Sequence, residues 1–96
     1  MKRFRKYQKV KTHTFNGRKY NIYIFPDGFD GVCDQYTPEV DEREVIIAVD
    51  PTTRNGLITI IHECLHAENW RASEESVDRT STEIGTFLWR CGFRIK

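Results

Sequence analysis

Two histidines four residues apart, with a glutamate directly after the first, constrain this chain more than any other feature: His62-Glu63-x-x-His66. On an α-helix, residues four apart lie one turn apart on one face, so both imidazoles can aim at a single ion. The pattern therefore asks for a helix, and the apolar run at 57–61 (LITII) leads into it. Glu63 lies about 100° round that helix from His62, outside the pair's shared cone. It can still hydrogen-bond a water held on the ion, which is where a general base is needed. The chain has three histidines, and two of them form this pattern. The plain alternative is an amphipathic helix whose histidines hold nothing; a third ligand decides between the two.

Ninety-six residues are enough for one domain spanning 1–96, with a single modest core. Charged residues make up 30% and aromatic residues 12%, and mean hydropathy is −0.60, the profile of a folded chain in water. A net charge of +1 gives no global case for nucleic acid. Its distribution is uneven, because Lys2, Arg3, Arg5, Lys6, Lys9 and Lys11 crowd residues 1–11 with Phe4 and Tyr7 between them. This basic N-terminal segment reads as a nucleic-acid-contacting arm or as a solvated terminal tail. No apolar stretch approaches a membrane span, and nothing resembles a signal peptide. Cys33, Cys64 and Cys91 are odd in number and form no CxxC pair. Cys64 and Cys91 read as buried free thiols, so the expected compartment is reducing and cytoplasmic.

Taken in order, residues 10–15 and 19–25 read as two strands joined at Asn16-Gly17, a strong hairpin signal. A short strand is expected at 32–36, then a charged loop at 37–43. Residues 44–50 (EVIIAVD) are β-branched and nearly continuous in apolar character, a covered strand. Asp50 or Thr53 can cap the helix that follows, expected over 54–70 with Leu57, Ile61, Cys64 and Leu65 as its buried stripe. Arg71-Ala72 reads as a tight link, and Ser73 as the cap of a second helix. That helix presents Val77, Thr80, Ile84, Phe87, Leu88 and Cys91 as its packing face, with Gly92 placed as a left-handed terminator. Gly85 in mid-helix marks either a close helix crossing or a tolerated glycine. The expected fold class is α+β: a small, mostly antiparallel sheet in the N-terminal half, the His-bearing helix, and a second packed C-terminal helix.

A catalytic zinc site needs three protein ligands plus water. No histidine follows His66, so a third histidine downstream is excluded. His13 sits on the expected hairpin. Glu68 points away from the imidazoles, and Glu83 is too far along the second helix. Glu74 and Glu75 occupy that helix's first turn, which a short connection returns to the neighbourhood of His66. Glu74 and Asp78 share one face, so one can bind an ion while the other holds a ligand histidine. Glu74 is the preferred ligand and Glu75 the alternative. Against both, acidic residues in a first turn favour the helix dipole with no metal at all.

His62-Glu63-Cys64-Leu65-His66 followed by Glu74-Glu75-Ser76-Val77-Asp78 resembles the HExxH…ExxAD pattern of the gluzincin metallopeptidases. The short spacing and small size resemble mini-gluzincins and the compact HExxH proteins of phage and bacterial genomes. The resemblance covers residues 44–92, about half the chain, and HExxH is its specific part. It implies Zn2+ on His62, His66 and Glu74, Glu63 as general base, and Asp78 orienting a ligand histidine. It implies a zinc-dependent peptidase acting on peptides or proteins, with the strand at 44–49 beside the cleft. Val77 stands where the pattern has alanine, and no motif marks an oxyanion stabiliser. The other expectation is a non-catalytic zinc-binding module that docks on a partner, associated with nucleic acid through the basic segment.

Overall fold

The computed structural model describes residues 8–24, 30–33 and 43–95. They form an α+β arrangement: β1 (Gln8–Phe15), β2 (Arg18–Ile24), β3 (Asp30–Cys33), β4 (Arg43–Ala48), α1 (Arg54–Glu68) and α2 (Glu74–Arg90). Of the basic segment 1–11, residues 8–11 begin β1, and the rest lies outside the described residues. Most of the charged loop expected at 37–43 lies outside them too; its last residue, Arg43, opens β4.

β1 and β2 pair antiparallel from Phe15 against Arg18 back to Gln8 against Ile24. Asn16 and Gly17 turn the chain with φ of 50° and 78°. Positive φ at both central residues is the primed turn whose twist matches the flanking strands. The ladder slips between Lys9 and Lys11, leaving Val10 as a bulge residue near the free edge.

The four strands run in the order β1-β2-β4-β3. Two ladders are antiparallel, as expected, but the central one, β2 with β4, is parallel. The meander is broken because β4 inserts between β2 and β3 instead of extending past β3. The strand expected at 32–36 is found at Asp30–Cys33, on the open edge. The strand expected beside the cleft, 44–49, is instead interior and paired on both sides. It has no free edge to offer a peptide.

Alternation places Tyr20, Ile22 and Ile24 on one face beside their register partners Arg43, Val45 and Ile47. Tyr20, Val45 and Ile47, together with Ala67 from α1, form a core no more than 2% exposed, against which Phe15 and Ile60 pack. Val45 and Ile47 each contribute about 1.5–3 kcal/mol of apolar burial. α1 covers this face, touching β1, β3 and β4, and among the described elements α2 packs on α1 alone. The layers are sheet, α1, α2.

Thr53 caps α1, its Oγ1 accepting from the Gly56 amide at 2.9 Å. Asp50 is occupied differently. It accepts from the Thr52 hydroxyl at 2.7 Å and the Thr52 amide at 3.0 Å, and these bonds hold its carboxyl below the usual range. Gly56 is required where α1 leaves this turn, because a Cβ there would collide with the Asp50 carbonyl oxygen and lie 2.7 Å from the Pro51 Cα.

The buried stripe of α1 differs from the expected one. Gly56, Glu63 and Ala67 are buried, with Ile60 between them, whereas Leu57, Ile61, Cys64 and Leu65 are only half-buried. α1 has two partners, the sheet and α2, on different sides. Its apolar residues are spread over both sides, Ile60 and Cys64 toward the sheet, and the fully buried positions go to Gly56, Ala67 and one carboxylate.

Ser73 caps α2, accepting from the Ser76 amide at 3.0 Å. Val77, Ser81 and Gly85, four apart, are the buried ridge. A Cβ on Gly85 would sit 2.6 Å from Ile58 Cγ1 and 3.1 Å from Ile58 Cα, so Gly85 marks a close crossing. The expected packing face holds at Val77 but fails at Ile84 and Phe87, which are 42% and 64% exposed. Cys91 is exposed rather than buried. A ridge of small residues lets two backbones approach, and that approach turns the bulky ridge outward. Gly92 ends α2 with φ 95°; its amide bonds the Trp89 carbonyl at 3.0 Å and the Phe93 amide bonds Leu88 at 3.1 Å. This is the Schellman termination expected of a glycine there. Among the described residues no helix is long and apolar enough to cross a membrane.

Candidate metal centre

α1 stops at Glu68, two residues earlier than expected, and the link to α2 is 69–72 rather than a dipeptide. The Asn69 amide closes the helix on the Leu65 carbonyl at 2.9 Å. The hairpin supplies the remaining closure. Asn16 Nδ2 donates to the Glu68 carbonyl at 2.9 Å, and Tyr20 Oη reaches the Ala67 carbonyl at 3.5 Å. Trp70 Nε1 donates to Tyr20 Oη at 3.3 Å, and the Arg18 guanidinium stacks 4.6 Å from the Trp70 ring. The sequence reading missed this clamp. Its one available signal was an indole directly after the helix, with an Asn-Gly turn elsewhere to meet it.

The link returns the first turn of α2 to the imidazoles. His66 Nε2 lies 2.7 Å from Glu74 Oε1, and His62 Nε2 lies 3.1 Å from Glu74 Oε2. Ligand atoms of His62, His66 and Glu74 all fall within 4.8 Å of one another. Two imidazoles and a carboxylate are an N/O donor set of the kind that zinc takes. The imidazole rings are 4.8 Å apart and crossed at 67° rather than stacked. His62 and His66 side chains are 17% and 22% exposed, while that of Glu74 is 65% exposed. Two imidazoles are thus fixed by packing and the carboxylate closes over them from solvent.

Asp78 stands one turn after Glu74, and its Oδ1 is 3.2 Å from His62 Nδ1. Each nitrogen of His62 therefore faces a carboxylate. With an ion on Nε2, the Nδ1–H is left to donate to Asp78, which fixes both tautomer and ring orientation. The Asp78 carbonyl also accepts from the buried Ser81 hydroxyl at 3.2 Å.

The other candidates go elsewhere. Glu75 faces a shallow depression on α2 lined by Asp78, Arg79, Thr82 and Glu83, and is not part of the cluster. His13 packs edge-on to Phe15 at 4.9 Å. Glu68 is exposed. Glu63 is 4% exposed, in the sheet-facing stripe of α1 and not on an open face. Helix geometry puts it about 60° round from His66, on the side toward the sheet. A buried carboxylate is costly to hold where a hydrophobe would fit. Its charge reaches Cys64, whose thiol is pushed up to about 11, first by burial and then by the Glu63 and Glu68 carboxylates. Cys64 lines an apolar groove with Ile60 and the β1-β2 hairpin, and takes no part in the cluster.

No protein-family model matches the chain, and no curated protein or solved structure matches it either.

Proposed function

We propose that this chain is a zinc-dependent peptidase of gluzincin type, with His62, His66 and Glu74 as the metal ligands. The observation that carries the reading is the convergence of two imidazoles and one carboxylate, from two helices, within 4.8 Å. Zinc held there would supply Lewis acidity, lowering the pKa of a water to about 7 and polarising a peptide carbonyl. On this reading Glu63 would take the proton as water attacks that carbonyl and return it to the leaving amine. Asp78 holds His62 through Nδ1 and so acts as a positioning residue.

Among the described residues β3 is an edge strand, and α1 packs against it. Its outer amides and carbonyls suit an extended peptide laid alongside by strand addition. Substrates on this reading are unfolded or extended segments of protein. The Glu63→Gln protein tests it directly. It should keep its zinc and lose cleavage of unfolded protein substrates by about 10²–10⁴-fold. Undiminished cleavage would end the mechanism.

A second reading keeps the zinc without catalysis, as a module that docks on a partner. One observation favours it: the Glu74 side chain is 65% exposed, so the third ligand stands at the surface and not in a deep cleft. One zinc per chain with no hydrolysis of any unfolded substrate would decide for this version.

A further inference from the structure

Where the hairpin tip meets the link between α1 and α2, a cleft of about 400 Å³ is lined by Asn16, Arg18, Asn69, Trp70 and Arg71. We propose that this cleft holds one nucleotide of a single-stranded nucleic acid, with the Arg18–Trp70 stack as its platform and Arg71 on its phosphate. The site is distinct from the metal ligands and its occupancy does not depend on zinc.

Four observations converge on that ligand. The lining offers two guanidiniums, two carboxamides and an indole, and no carboxylate. Among the described residues the Arg71 side chain makes no hydrogen bond or ion pair; only its backbone amide is engaged, donating to Asn69 Oδ1 at 3.1 Å. The Leu65, Ala67 and Glu68 carbonyls at the end of α1 are already met by the Asn69 amide, Tyr20 and Asn16, so capping them does not account for Arg71. Finally, the flat surface is preorganised. Arg18 lies 4.6 Å over Trp70, and Trp70 is tied to the buried Tyr20 hydroxyl. Bases stack on aromatic rings and guanidinium planes alike, while asparagine amides can read a base edge. An acidic peptide would use the arginines but leave the indole platform idle.

The test uses the full chain with Trp89→Phe, so that tryptophan fluorescence reports on Trp70, titrated with a short oligothymidylate at low salt. Anisotropy of the labelled oligonucleotide on the unsubstituted chain gives a second readout. The expected result is saturable quenching, with affinity falling against salt at a log–log slope of about −0.7, as one phosphate contact gives for single strands. Arg71→Glu, at an exposed position, should weaken binding at least about tenfold, whereas neutralising Lys2, Arg3, Arg5 and Lys6 should leave the quench in place. Three results would overturn the proposal: no quenching of Trp70, equal affinity for the Arg71→Glu chain, or an equal quench by an oligoglutamate of matched charge. The last would reassign the cleft to acidic peptides.

Discussion

His62 meets a carboxylate at each ring nitrogen, Glu74 at 3.1 Å and Asp78 at 3.2 Å, and on the proposed reading the first would bind the ion and the second would orient the ring. Removing an orienting partner from a ligand histidine typically costs 10–100-fold in metal affinity. Asp78→Ala should therefore weaken zinc binding by about that factor, measured by competition with a chelator, while Glu75→Ala leaves it unchanged. Cys64 offers a check on the burial of this region. Its thiol is raised from 9.0 to about 11, mainly by desolvation, so the unfolded chain loses that proton first as pH rises. The sign follows: the thiol's contribution is complete below pH 9 and is lost between about pH 9 and 11. Chemical denaturation should show a steeper alkaline loss in the wild type than in Cys64→Ala, and parallel curves would contradict the burial. Exposed Cys91 should be alkylated well before Cys64 at neutral pH, read by mass spectrometry of the separated peptides.

At the scale of elements, what could be read from residues was what local chemistry decides. The Asn16-Gly17 turn, the Thr53 and Ser73 caps and the Gly92 terminator each act within four residues of themselves, and each stands where the pattern placed it. The spacing of His62, His66 and Glu74 was legible for the same reason, being a property of one helix and the first turn of the next. Facing was not legible. α1 answers to two partners, so Glu63 is buried more fully than Cys64, and α2 crosses on Val77, Ser81 and Gly85 rather than on its bulky residues. Gly85 gives this crossing a test. Alanine would add up to about 1 kcal/mol of helix propensity, but its Cβ would press on Ile58. Overpacking of that kind costs about 1–3 kcal/mol, so Gly85→Ala should lower stability in denaturant titrations, and a gain would mean the helices are further apart.

For the whole molecule, α2 touches nothing but α1 among the described elements, while two of the candidate metal ligands come from α1 and one from α2. An ion there joins the outermost layer to the rest. The parallel β2–β4 ladder was beyond the reach of the residue pattern, because strand alternation fixes which face is buried but not which neighbour a strand takes. The metal's effect on stability follows from linkage: zinc at about 100 times its dissociation constant adds roughly 2.7 kcal/mol, so Tm should rise with zinc and fall with a chelator. The most direct measurement is zinc content per chain by elemental analysis of wild type, Glu74→Ala and Glu75→Ala. One zinc in the wild type and in Glu75→Ala, with little or none in Glu74→Ala, is the expected result. A wild type that takes no zinc, or a Glu74→Ala chain that holds it as well, would contradict the two-helix site.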